Sequence, residues 1–233
     1  MGLREVKRGY RNNASVNAYD HRFSGLRGKL NNSRVLRTLR KAYGEPNSRN
    51  AVIDVPCGTG RLQRMLHSLA PSISIQADIS LEMLQTARKK DELSGGCNHY
   101  IQCDVTSLPF RDKVFQAAFN VRFMQHLEPS DRIATLKELK RVSDKLIVCY
   151  YHKYTFKTIS RTLRRWLGLY HKVLKKASRT DLRIESSAAG LEIEKVRSVI
   201  PFFSDNWVVE FREAKGRLKG ENPETLHPQH TLR

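Results

Sequence analysis

The chain has 233 residues, 39% of them hydrophobic, with 42 Lys or Arg against 23 Asp or Glu and a formal net charge of +19. That length suits one α/β domain with elaborations or two very small ones, and the apolar content excludes wholesale disorder. The charge favours an anionic partner: nucleic acid, an acidic membrane surface or a phosphorylated substrate. Against this stands a solvated, solubilising surface, the ordinary use of charge runs.

The charge is unevenly spread. Residues 1–50 carry 12 basic and 3 acidic side chains, residues 51–152 carry 13 and 11, and residues 153–233 carry 17 and 9. A nearly neutral middle lies between two basic flanks, so the flanks would face an anionic partner. No apolar run approaches the roughly 20 residues of a membrane span, and the first 25 residues hold no apolar leader core. Cys57, Cys97, Cys103 and Cys149 form neither a CxxC pair nor a zinc spacing. Reduced thiols in a cytoplasmic protein without a metal site are expected.

Taken in chain order, the first 20 residues are polar and basic. From Ser33, the residues Val35, Leu36, Leu39 and Tyr43 recur at helical spacing, with Asn32 or Ser33 as expected N-cap and Gly44 as stop. From residue 51, strands and helices alternate. Strands are predicted at 51–55, at 72–77 ending in Asp78, at 100–103 ending in Asp104, at 114–121 and at 145–151. Helices are predicted on Leu62, Met65, Leu66 and Leu69, from Ser80 to Leu93, and over 130–142. Such alternation means a parallel sheet with helices on both faces. After Tyr151 the pattern changes to one long helical stretch over 157–177, then strands at 191–200 and 206–212 that pair antiparallel. The expected organisation is a basic helical segment or lid at 1–50, a core domain at 51–213 with a basic helical insertion at 153–179, and a flexible polar tail at 214–233.

The strongest local signal is Asp54-Val55-Pro56-Cys57-Gly58-Thr59-Gly60 between a strand and a helix. Glycines there let the backbone turn sharply and approach a ligand, and the helix start offers free N–H groups. The loop lacks the Gly-Lys-Ser/Thr ending of a phosphate loop, and Gln63 breaks the three-glycine dinucleotide pattern. Asp78 follows at the distance where an acidic residue accepts ribose hydroxyls. Asp54, Asp78 and Asp104 thus end three consecutive strands at the carboxyl edge, where open α/β sheets bind ligands. Each could instead be a cap or a turn residue. Three carboxylates suit a ligand with hydroxyls and a positive charge better than a pyrophosphate.

From about Val52 to Val148, and more loosely to residue 213, the chain resembles a class I S-adenosylmethionine-dependent methyltransferase of the broad small-molecule kind. The resemblance implies a Rossmann-like, doubly wound, mostly parallel sheet with a C-terminal antiparallel hairpin, the last strand inserted between the fifth and sixth. It implies S-adenosyl-L-methionine as cofactor. Asp54, Pro56, Gly58, Thr59 and Gly60 match the loop that cradles the methionine part. Asp78, with Ile79 and Met83 after it, matches the ribose site. Asp104-Val105 matches the pair beside the adenine. Asn120, in Phe119-Asn120-Val121, matches the fourth motif, and Tyr19 matches an N-terminal residue that lids the cofactor. The chain departs from the family at Pro56-Cys57, which replace the commoner small residues, and at Asn120-Val121-Arg122-Phe123, which is not the motif of base-methylating enzymes.

Methyl transfer from a sulfonium needs positioning above all, and a base only where the acceptor loses a proton. His126, between the fourth strand and the next helix, is the catalytic candidate; the alternative is a packing histidine. The stretch 153–179 carries nine Lys or Arg and no acidic residue, around an apolar stripe that includes Trp166 and Tyr170. It suits an anionic membrane, a phosphate backbone, or a helix that buries its stripe on the sheet. The expected function is methyl transfer to a small or lipid-linked, anionic acceptor, peripheral on a membrane surface. The rivals are an RNA methyltransferase and a non-catalytic cofactor-binding or scaffold protein. The sequence does not specify an oligomeric state.

Overall fold

The computed structural model of the chain describes residues 25–45, 51–155, 166, 175–200 and 206–214. The predicted lid residue Tyr19, most of the 157–177 stretch and the polar tail lie outside them.

Helix α1 spans Leu26–Tyr43. It starts earlier than the capping signals at Asn32 and Ser33 suggest, with Gly25 as N-cap. Asn31, Asn32 and Ser33 continue the helix because propensity is a weak prior that packing overrides. Val35, Leu39, Ala42 and Tyr43 form its buried face. Then follow β1 (Ala51–Asp54), α2 (Gln63–Leu69), β2 (Ile73–Asp78), α3 (Leu81–Leu93), β3 (His99–Gln102), β4 (Phe115–Asn120), a short 3-10 turn at Met124–His126, α4 (Pro129–Val142), β5 (Ser143–Tyr151), α5 (Arg179–Ala188), β6 (Leu191–Ser198) and β7 (Asn206–Glu213).

The seven strands form one sheet in the order β3-β2-β1-β4-β5-β7-β6. Neighbours from β3 to β5 are parallel. β7 runs antiparallel to both β5 and β6, which is the predicted insertion of the last strand. The order reverses at β1, where β2 and β4 flank it, and such a switch point opens a crevice at the carboxyl edge.

Two apolar layers sandwich the sheet. One joins Ile53, Val55, Phe115 and Ala118 to Leu136 and Leu139 of α4 and Leu182 of α5. The other joins Val52, Ala117, Phe119 and Val208 to Val35 and Leu39 of α1 and Met65 and Leu66 of α2. Successive strand residues point to opposite faces, so both layers draw on the same strands, which read as continuous apolar runs.

Two elements depart from the expected pattern. Residues 175–178 are not helical: Ala177 bridges His152, and its N–H donates to the Tyr151 carbonyl at 2.8 Å. The stretch beyond β5 therefore leaves and returns at one place on the carboxyl edge. Helix α5 was not anticipated. Ser178 caps it, accepting from the Asp181 N–H while the Asp181 carboxylate accepts from the Ser178 N–H. That reciprocal box was readable as Ser-x-x-Asp.

Candidate active site

The glycine loop follows β1. Val55 N–H donates to the Phe119 carbonyl at 3.0 Å, and Cys57 N–H to the Ala77 carbonyl at 2.8 Å, so the loop is stitched to both flanking strands. Gly58 (φ +55°) and Gly60 (φ +78°) lie in the left-handed region, where a side chain is strained. A β-carbon on Gly60 would also collide with the Gln63 amide. Gly58 N–H donates to Asp78 Oδ2 at 2.8 Å, and Ser80 N–H to Asp78 Oδ1 at 3.0 Å. The end of β2 thus fixes the loop after β1.

A cavity of about 680 Å³, counting its open mouth, lies on this edge. Of the residues assigned to cofactor binding from sequence, Pro56, Gly58, Asp78, Ile79, Met83, Asp104 and Val105 line it, and so does His126. Asp54, Thr59 and Asn120 are buried beside it instead, and Gly60 borders a neighbouring surface hollow. Asn120 has a structural contact: its Nδ2 donates to the Val55 carbonyl at 2.8 Å and ties β4 to the loop. Val55, Cys103, Val121, Arg122 and Phe123 line the cavity without having been anticipated. All five lie beside strand ends, so the carboxyl-edge rule was the signal that could have found them.

The electrostatics are acidic on one wall. Both Asp54 oxygens are buried without a hydrogen-bond partner among the described residues. Burial pushes this carboxyl well above its ordinary pKa; the Arg61 guanidinium pulls against that and Asp78 adds to it. Burial also raises Asp78, opposed by the N–H groups of Ser80, Gly58 and Ile79. Asp104 Oδ1 accepts from the Thr106 N–H at 3.0 Å and its hydroxyl at 2.8 Å. Cys57 is buried and its thiol is held protonated by burial, reinforced by Asp78. Cys103 is pushed up to about 11 for the same reasons. Neither thiol has the lowered pKa of a nucleophile.

The opposite wall holds Arg122, Phe123 and His126. Arg122 adopts φ +62°, a conformation that a non-glycine residue keeps only when its surroundings impose it. Gln125 Nε2 donates to the Arg122 carbonyl and stands 3.1 Å from His126 Nε2. Below the turn, buried Arg132 of α4 holds three acceptors: the Met124 carbonyl at 2.9 Å, Glu185 Oε1 at 3.0 Å and the Lys175 carbonyl at 3.1 Å. Lys175 N–H donates to the Gln125 carbonyl at 3.0 Å. The turn bearing His126 is thereby fastened to the returning end of the 153–179 stretch. Among the described residues no cluster of three or more His, Cys, Asp or Glu could hold a metal ion.

A seven-stranded sheet of this order, with a glycine loop after β1 and an acidic β2 end at a carboxyl-edge cavity, defines the class I methyltransferase fold. Over residues 52–145 the chain matches the family described as Methyltransferase domain, and its sheet has the fold of the class I methyltransferases, whose cofactor is S-adenosylmethionine. The solved structure of magnesium protoporphyrin IX methyltransferase from Synechocystis PCC 6803 with bound S-adenosylhomocysteine superposes with a TM-score of 0.72 at 17% identity, covering 91% of this chain and 100% of that one. Demethylmenaquinone methyltransferase of Thermus thermophilus is 36% identical over 95 residues, 39% of this chain and 41% of its own length. Probable tRNA methyltransferase 9B of Bos taurus is 28% identical over 108 residues, 45% of this chain and 21% of its own length. The chain thus spans less than half the length of these two curated relatives.

Proposed function

We propose that the chain transfers a methyl group from S-adenosylmethionine to a small or lipid-linked, anionic acceptor. The observation that carries the cofactor part is the cavity whose acidic wall combines Asp78 with the adjacent buried Asp54. A carboxylate buried without a donor is costly, and a ligand cation beside it would restore its charge. The residues present therefore fit a ligand with hydroxyls and two positive centres. Asp78 would accept the ribose hydroxyls with lone pairs that its two backbone donors leave over. Ile79, Met83 and Val105 offer apolar contact for the adenine, with Asp104 beside it. Pro56 and Gly58 would meet the methionine part, with Thr59 and Gly60 shaping the loop and Asn120 holding it down. Tyr19 is a lid candidate.

S-adenosylmethionine, when bound, supplies an electrophilic methyl group on a sulfonium. Catalysis by this chain then rests on orientation: Phe123 and Val121 exclude water, and Arg122 attracts a negative acceptor group. His126 takes the acceptor proton where the acceptor has one to lose. Such an acceptor suits a cytoplasmic protein working peripherally on a membrane; no helix among the described residues is long and apolar enough to cross one.

RNA is the second reading, favoured by the basic flanks and by the relative described as a probable tRNA methyltransferase. Incubating the protein and a cell extract with methyl-labelled cofactor, then separating lipid, small-molecule and RNA pools, tests the choice. Label is expected in the lipid or small-molecule pool. Label confined to RNA would overturn the acceptor proposal and leave the cofactor site standing.

A further inference from the structure

Helix α1 buries one face, and among the described residues nothing covers the other. Leu26, Lys29, Leu30, Ser33, Arg34, Arg37, Arg40 and Lys41 are all exposed. At 100° per residue they fall within a single sector of the helix, opposite Val35, Leu39 and Ala42. The helix contains no acidic residue at all. Lys29, Arg34, Arg37 and Lys41 enter no ion pair among the described residues. Arg40 donates to the Ser68 hydroxyl of α2 at 3.5 Å and enters no ion pair among the described residues. This is a dense, uncompensated cationic surface, where most proteins intersperse both signs.

The same face has an apolar end. Leu26 is 76% exposed and Leu30 52%, one turn apart. The helix direction places that end. Tyr43 donates to Gln116 near the start of β4, and Lys145 near the start of β5 donates to the Ala42 carbonyl. The C-terminal end of α1 therefore sits at the amino edge of the sheet, and Leu26 points toward the carboxyl edge that carries the cavity. The 153–179 stretch is anchored at that edge too, and its Trp166 is 82% exposed.

We infer that the outer face of α1 docks on an anionic lipid bilayer, with Leu26 and Leu30 in the acyl boundary and Lys29, Arg34, Arg37 and Lys41 among the headgroups. A phosphate backbone would pair the cations equally well, but it offers nothing to two exposed leucines. A bilayer interface takes both. The docking holds the protein at the surface where a lipid-linked acceptor would lie, which rests on and deepens that reading of the acceptor. The binding itself is measured without that reaction.

The test is cosedimentation of the full chain with phosphatidylcholine vesicles containing or lacking phosphatidylglycerol. The wild type is expected to bind only the acidic vesicles, and less as salt rises. Lys29→Gln, Arg34→Gln, Arg37→Gln and Lys41→Gln together remove four surface cations, so the partition coefficient should fall on the order of 100- to 1,000-fold. These positions are exposed, so thermal unfolding should be unchanged. Leu26→Ser with Leu30→Ser should lower vesicle binding roughly tenfold or more while leaving retention on a short RNA duplex unaltered. Undiminished vesicle binding by the fourfold variant would overturn the inference. So would a wild type that retains RNA through these four cations and ignores acidic vesicles. If docking succeeds while no lipid is labelled, the surface stands and the acceptor reading falls.

Discussion

Replacing Asp78 by Asn probes the cavity most sharply, because the carboxylate has two duties. It accepts the Gly58 and Ser80 N–H groups at 2.8 and 3.0 Å, and it is the proposed acceptor for ribose hydroxyls. Asn keeps the shape and one oxygen, so one of the two buried N–H groups loses its partner. A buried unsatisfied donor costs about 1–3 kcal/mol, which for a chain of this size lowers Tm by roughly 2–12 °C. Loss of hydrogen bonds to a charged acceptor removes about 1.5–3 kcal/mol of ligand binding, or roughly 10- to 150-fold in Kd. Calorimetry with S-adenosylhomocysteine reads the second effect and thermal unfolding without ligand reads the first. A folded Asp78→Asn variant with unchanged Kd would refute the ribose assignment, whatever its Tm.

Four further outcomes follow from the same geometry. His126→Ala should lower turnover about 100-fold and leave cofactor affinity alone; a loss under tenfold would make His126 a packing residue. Burial raises the pKa of Asp54 and Asp78, so the unliganded protein loses stability as pH climbs from the ordinary carboxylate value near 4 toward the raised native values. A cationic ligand favours the charged carboxylates, so the Tm increment from saturating S-adenosylmethionine should grow as pH rises above the ordinary carboxylate value near 4; an increment that shrinks would contradict the assigned wall. Arg132→Met should cost about 3–5 kcal/mol by stranding Glu185 in the core, and adding Glu185→Leu should recover most of it, as denaturant unfolding would show. Changing Arg161, Arg164, Arg165 and Lys172 together to Gln should lower acidic-vesicle association at least tenfold without altering S-adenosylhomocysteine affinity, as cosedimentation and calorimetry would show.

Much of the fold was legible because its strands announce themselves. β1, β4 and β5 are apolar runs between turn residues, and their order follows from alternation with helices. The Ser80 cap was equally plain: its hydroxyl accepts from the Met83 N–H at 3.2 Å. What escaped were features that depend on neighbours far away in the chain. Asp54 and Asn120 sit at strand ends as expected, but the pleat and the closing loop bury both beside the cavity. Arg122 could not be read as a wall residue, because nothing in the local sequence signals its left-handed backbone. Helix α5 was missed because its apolar face is thin: Leu182 is buried alongside the polar Glu185 and Ser186, and Glu185 is inside only because Arg132 awaits it. The outer face of α1 was legible only in part, because the capping signals placed the helix start near Ser33 and the helix begins at Leu26.

A crystal structure of the protein with S-adenosylhomocysteine tests the central claim most directly. The ligand should lie in the carboxyl-edge cavity, its ribose hydroxyls on the Asp78 carboxylate, its adenine against Ile79, Met83 and Val105, and its sulfur facing the wall of Val121, Phe123 and His126. A ligand bound elsewhere, or one in this cavity with its ribose away from Asp78, would contradict the account.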